Sequence, residues 1–170
     1  MLRDVSYKDA SPTSFRDGGE FEEFARDLMF ERLGWWTDVY RSKHFQFGVG
    51  ESRQGVEFKL DSRCTETGRL SIEVAEKANA DSDVWVPSGI MRDDNTILYV
   101  QGNSEKVWIF SKKFLRQLFY ARGPAVSEYG LVPSRPTVRR FFMPISDADK
   151  YSIKVLTCAP PVAPKDDIPF

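Results

Sequence analysis

The hydrophobic positions of the chain follow two rhythms. Phe21, Phe24, Ala25, Leu28 and Met29 recur at three- and four-residue spacing, and Gly34 follows where a left-handed cap suits glycine, which predicts a helix over 20–33. Elsewhere the period is two. Residues 56–61 alternate Val56, Phe58 and Leu60 with Glu57, Lys59 and Asp61, and residues 70–75 alternate Leu70, Ile72 and Val74 with Ser71, Glu73 and Ala75. Each run predicts a strand with one apolar and one polar face. The polar, glycine-containing stretch SRCTETG between them predicts that the two strands pair as an antiparallel hairpin.

The aromatic run over 38–49, ending in Gly48 and Gly50, predicts a further strand. Residues 96–101 and 106–110 predict two strands joined by GNSE, and Ser111 opens a helix with Phe114, Leu115, Leu118 and Phe119 on one side. Residues 79–88 read as a loop anchored by Val84, Trp85 and Val86, while 137–145 and 151–158 are β-rich but open in type. A polar N-terminal arm (1–17) and a proline-rich tail (159–170) then flank one domain over 18–158. The expected fold class is α/β: a single domain with a central mixed β-sheet, an antiparallel meander and flanking helices.

Composition narrows what such a domain does. With 24 basic and 25 acidic residues the formal net charge is −1, so bulk charge does not draw the chain to nucleic acid and any such binding must be local. Lys112, Lys113, Arg116 and Arg122, with Lys106, stand against one acid, Glu105; Arg139 and Arg140, with Arg135, sit beside Phe141 and Phe142. Both are candidate nucleic-acid-binding patches, although an amphipathic helix with a solvated basic face is an equal reading of the first. Two distant cysteines and one histidine argue against a zinc site or a disulfide framework. His44 reads as a packed or surface residue and Cys64 as an ordinary thiol. Nothing approaches a membrane-spanning apolar run, so a cytoplasmic protein is expected.

The chemically informative stretches are GESRQGVEFKLD (50–61) and GRLSIEVAEK (68–77), which put charge inside strands. Carboxylates on neighbouring strands hold Mg²⁺ through oxygen ligands, and a lysine beside them orients the nucleophile or offsets phosphate charge. A lone Glu-x-Lys is more often a solvated edge with an ion pair, but Glu51, Gln54, Glu73 and an acidic first helix cluster around this one.

With its acid-bearing first helix, β-meander and Glu57-Phe58-Lys59 on a strand, the stretch 20–120 resembles the PD-(D/E)XK superfamily of restriction-endonuclease-like nucleases. The resemblance implies that fold, a Mg²⁺ (or Mn²⁺) cofactor, endonucleolytic hydrolysis of DNA in phage- or restriction-type biology, and a homodimer where both strands are cut. It makes Glu57, Lys59 and Glu73 the catalytic set and Glu51, Glu57, Glu73 and Glu20 the metal ligands, with Glu23 a further helix acid. Gln54, Asp61 and Lys77 complete the pocket. Two assignments stay open: Glu51 is the upstream acid of the motif, or Glu57 is, with Glu73 the acid of the following strand. The alternative function is a non-catalytic nucleic-acid- or protein-binding module on the same core.

Overall fold

The computed structural model describes residues 17–122, 130–132 and 135–158; the predicted tail, and the predicted arm apart from Asp17, lie outside them. Helix α1 (Gly18–Leu33) forms where the helical spacing predicts it. The Asp17 carboxylate accepts the Gly19 and Glu20 N–H groups at 2.9 and 3.1 Å, and Gly34 at φ 69° returns its N–H to the last turn.

Residues 38–49 are not a strand. They hold a short helix, α2 (Lys43–Gly48), and one bridge between Val39 and Ser52. The Tyr40 and Phe45 rings stack on each other at 5.5 Å, and the Gln46 side-chain amide donates to the Tyr40 carbonyl. The aromatics that mimic strand alternation thus satisfy one another locally.

The chain continues through β1 (Val56–Leu60), α3 (Cys64–Thr67), β2 (Arg69–Glu76), β3 (Val86–Pro87), a 3₁₀ turn (Gly89–Met91), β4 (Leu98–Gly102) and β5 (Lys106–Ser111). It ends with α4 (Lys112–Arg122), β6 (Gly130–Val132), β7 (Arg135–Pro144), α5 (Ile145–Tyr151) and β8 (Lys154–Thr157). The fold is a mixed α/β single domain. One four-stranded sheet runs β1-β4-β5-β8, with β1 parallel to β4 and the other pairs antiparallel; a second, antiparallel, runs β3-β2-β7-β6. The hairpin β4–β5 is the predicted one, its turn held by Asn103 Oδ1 accepting the N–H groups of Glu105 and Lys106.

The predicted β1–β2 hairpin does not form, because the two strands belong to different sheets. The link between them winds into α3, and their apolar faces serve separate cores. Val56 and Phe58 pack with Val100, Val107 and Ile109 against Phe21, Ala25 and Met29 of α1. Leu70, Ile72 and Val74 pack with Phe141 and Met143, with Leu115 of α4, and with Tyr99, Trp108 and Phe110 from the other side of the first sheet. The layers are therefore α1, first sheet, second sheet. Burial of each large side chain contributes roughly 1.5–3 kcal/mol, so both cores hold the first sheet in place.

Val84 and Val86 are exposed rather than anchoring, and Ile90, fully buried, holds that segment to the core. Beyond its two pairs with β3, the edge of β2 that faces the first sheet has no strand partner. Side chains take its place: Asp61 Oδ2 accepts the Ser71 N–H at 2.7 Å, and Gln101 Nε2 donates to the Ser71 carbonyl at 2.9 Å. No helix of the described residues is long and apolar enough to cross a membrane.

Candidate active site

Strand alternation puts Glu57 and Lys59 on one face of β1, away from α1. The parallel register with β4 sets Tyr99 beside Glu57 and Gln101 beside Lys59, so four polar side chains share that face. Glu51 reaches them from the preceding loop. That loop is tightly set: Gly55 (φ 72°) lies against Asn95, where a Cβ would come within 2.5 Å of the Asn95 carbonyl oxygen. Ser52 is buried, with its Oγ accepting the Val56 N–H at 2.7 Å and its carbonyl accepting from Asn95 Nδ2 at 2.9 Å. Glu51 then uses both oxygens, one on the Phe58 N–H at 3.0 Å and one on Lys59 Nζ at 3.1 Å.

Lys59 Nζ also lies 3.0 Å from Glu57 Oε1, so its ammonium bridges two carboxylates. Glu57 is 1% exposed, Glu51 18% and Lys59 27%. Burial raises the Glu57 carboxyl above its ordinary range; Lys59 opposes this and Glu51 adds to it. For Lys59 burial pulls downward, but Glu57, Glu51 and Glu73 outweigh it and raise the ammonium above its ordinary value. Lys59 is thus a fixed cation at neutral pH. Glu57 Oε1 is paired with this ammonium, and the buried Oε2 has no hydrogen-bond donor.

Of the other predicted site residues, some gather here and some do not. Glu73 lies on β2 but lines the same groove as Lys59, Asp61, Tyr99, Gln101 and Arg140. It does not oppose Glu57 across a hairpin; its ladder partner is Arg140 of β7. Asp61 is in the groove, where it braces Ser71 and Gln101. Gln54 is not part of it, since its Oε1 accepts the Asp38 N–H at 2.8 Å. Lys77 is not either: it donates to the Ala80 carbonyl and lies over the Trp85 ring.

Glu20 sits in the first turn of α1, whereas the helix acid that feels the site is Glu22, whose carboxyl is raised by burial and then by Glu51, with Lys59 among the cations opposing. Glu23 is exposed. The helical stripe carried this signal, because Glu22 precedes Ala25 by three residues and Met29 by seven and so borders the buried face. Tyr99 and Gln101 were missed as well. Both are fully buried, and the Tyr99 hydroxyl and Gln101 Oε1 have no hydrogen-bond partner. Burial, then Glu57, Glu73 and Glu51, push the Tyr99 phenol well above its ordinary value.

The basic patch over 112–116 turns largely inward. Lys112 is buried, its ammonium 2.5 Å from Asp94 and 2.8 Å from the Arg92 carbonyl. Arg116 donates to the carbonyls of Ile90 and Arg92. Only Lys113 of the three is exposed, while Lys112 and Arg116 direct donors to the 90–94 segment. Arg139 lies 4.1 Å over the Trp85 ring, and Arg140 donates to Ser71 Oγ at 3.2 Å. The side chains of Arg122 and Arg135 fall outside the described ones. His44 is exposed, and Cys64 is fully buried in α3, its thiol pushed up to about 12 by burial.

Among the described residues no group of three or more His, Cys, Asp and Glu side chains is arranged around one point as metal ligands are. Glu51 and Glu57 nevertheless converge on a single point, now held by Lys59 Nζ, and the buried Glu57 Oε2 lacks a donor. An oxygen-only, doubly anionic set of this kind fits a hard divalent cation. Comparison of the chain with protein-family models, with curated proteins and with solved structures found no match.

Proposed function

We propose that this chain is a divalent-metal-dependent nuclease that hydrolyses DNA phosphodiester bonds. The observation that carries the reading is the convergence of Glu51 and Glu57 on Lys59 Nζ at 3.1 and 3.0 Å, beside a groove that Lys59 lines. The likeness to the acid-x-lysine motif of PD-(D/E)XK nucleases supports it. Glu51 and Glu57 would hold Mg²⁺ or Mn²⁺, with Glu73 and Glu22 adding negative potential nearby. When bound, such a metal supplies Lewis acidity, polarising a phosphoryl oxygen and acidifying a coordinated water.

Lys59 keeps its proton at neutral pH under the pull of its acids. It therefore acts as a cation, neutralising a non-bridging phosphate oxygen or orienting the water, and not as a general base. Such an enzyme would work on cytoplasmic DNA, as a pair of copies where it cuts both strands of a duplex. One observation favours a second reading: Lys59 already neutralises the two acids internally, as it would in a binding module whose ion triad only braces β1.

Cleavage of plasmid and single-stranded DNA with Mg²⁺, Mn²⁺ or EDTA decides between them. The parent should cut only with metal, and Glu57→Gln and Glu51→Gln should each lower the rate by roughly 100-fold or more. Cutting that survives EDTA, or a Glu57→Gln variant at the parental rate, rejects the metal mechanism. Salt-dependent binding without cleavage transfers the assignment to the binding module.

A further inference from the structure

The groove that Lys59 lines runs from the acid–lysine cluster onto the outer face of the second sheet. On β2, Arg69, Ser71 and Glu73 point away from the core that Leu70, Ile72 and Val74 enter, and the β7 register sets Phe142 opposite Ser71 and Arg140 opposite Glu73. The Arg69 guanidinium lies 4.3 Å over the Phe142 ring, so cation and aromatic face form one platform. Arg140 is fixed by its bond to Ser71 Oγ. At the inner end lies the buried Gln101, whose Nε2 is held by Asp61 and the Ser71 carbonyl. The whole is one groove of about 370 Å³.

We propose that this groove is a subsite for one strand of nucleic acid, with Phe142 and Arg69 stacking a base and Arg140 and Lys59 holding the phosphates on either side. The proposal rests on the nuclease reading and names its substrate class, single-stranded rather than duplex. Three features carry it. Small-ligand sites span roughly 300–1,000 Å³, and this groove is of a size to take one nucleotide unit. Aromatic and arginine faces beside a cationic track are how unpaired bases are bound without sequence readout. Arg140, tied to Ser71 Oγ across the β2–β7 pair, fixes the cation beside that platform.

The test uses fluorescence anisotropy of the full chain with a labelled 12-nucleotide single strand, and with the duplex of the same length, in EDTA so that no cleavage intervenes. The single strand should bind at least tenfold more tightly than the duplex. Phe142→Ala and Arg69→Ala should each weaken that binding roughly tenfold, as loss of a stacked base does. Both side chains face the groove and not a core, and circular dichroism melts should match the parent within a few degrees. Glu31→Gln, an exposed substitution on α1 outside the groove, should bind like the parent. Equal or tighter duplex binding, or parental affinity in both platform variants, overturns the proposal. The nuclease reading fails separately: a parent that cuts DNA with metal yet shows no single-strand preference keeps the enzyme and loses the subsite, whereas one that binds the strand through Phe142 but never cuts does the reverse.

Discussion

Lys59 is placed where a metal ion would share its ligands, and that has a measurable consequence. Two carboxylates attract whichever cation lies between them, so the ammonium competes with a divalent ion for Glu51 and Glu57. Lys59→Met should therefore tighten Ca²⁺ or Mg²⁺ binding by roughly tenfold or more in titration calorimetry, even as it depresses any cleavage. Unchanged or weaker metal binding in that variant would sink the competition. The shared face of Glu57 and Lys59 was legible in the sequence, because alternation on a strand depends on nothing outside it. The approach of Glu51 was not, since it depends on Gly55, Ser52 and an asparagine 43 residues beyond Ser52. Cys64 gives a second residue-level test. Its folded thiol titrates at about 12 and its ordinary value is 9.0, so the folded state keeps a proton that the unfolded chain loses first. Stability should fall as pH rises above about 9, by up to ~1.4 kcal/mol per pH unit for one proton. Urea melts of Cys64→Ala between pH 8 and 10 should show a flatter dependence than the parent; parallel curves would refute the assignment.

Elements were more legible than their pairing. α1, β1, β2, β4, β5 and α4 lie where periodicity predicts them, yet β1 and β2 separate into two sheets because each has its own apolar layer to cover. Nothing in either strand's alternation says which layer that is. The basic run opening α4 shows the same limit: a lysine followed by a lysine reads as one solvated patch, but the first is the bolt of the helix. Lys112 is 2% exposed and pairs with Asp94, whose carboxyl feels burial upward and more strongly the Lys112 and Thr96 contacts downward, leaving it below its ordinary range. Lys112→Ala should cost about 3–5 kcal/mol by stranding Asp94, while Lys113→Ala should stay within about 0.5 kcal/mol. Similar urea midpoints for the two variants would show that the pair does not anchor α4. Because the Asp94 value is depressed, its stabilisation is full above the ordinary value near 3.8 and is lost as pH falls through the lower, folded one.

At the scale of the molecule, the site lies on the seam between the two sheets, and side chains rather than a β-ladder close that seam. Asp61 and Gln101 each satisfy one backbone group of Ser71, and Gln101 Nε2 also reaches Asp61 Oδ2 at 3.2 Å. No local pattern announces this: Asp61 reads as the last polar position of a strand and Gln101 as an ordinary residue of another, and only the three-layer packing brings them to one peptide. Removing either partner leaves a part-buried Ser71 group without its bond, a loss of about 1–3 kcal/mol. Because both serve the same residue and touch each other, Asp61→Ala and Gln101→Ala should not add. A double-mutant cycle in urea should yield a coupling of at least ~0.5 kcal/mol, with the double variant less destabilised than the sum. The seam also sets the distance from Lys59 to Glu73 and to the Phe142 platform, so each single variant should weaken single-strand binding while leaving calcium binding at Glu51 and Glu57 near the parental value. Strict additivity of the two substitutions, with strand binding untouched, would mean that the sheets are held in register by their cores alone and that the seam has no part in shaping the groove.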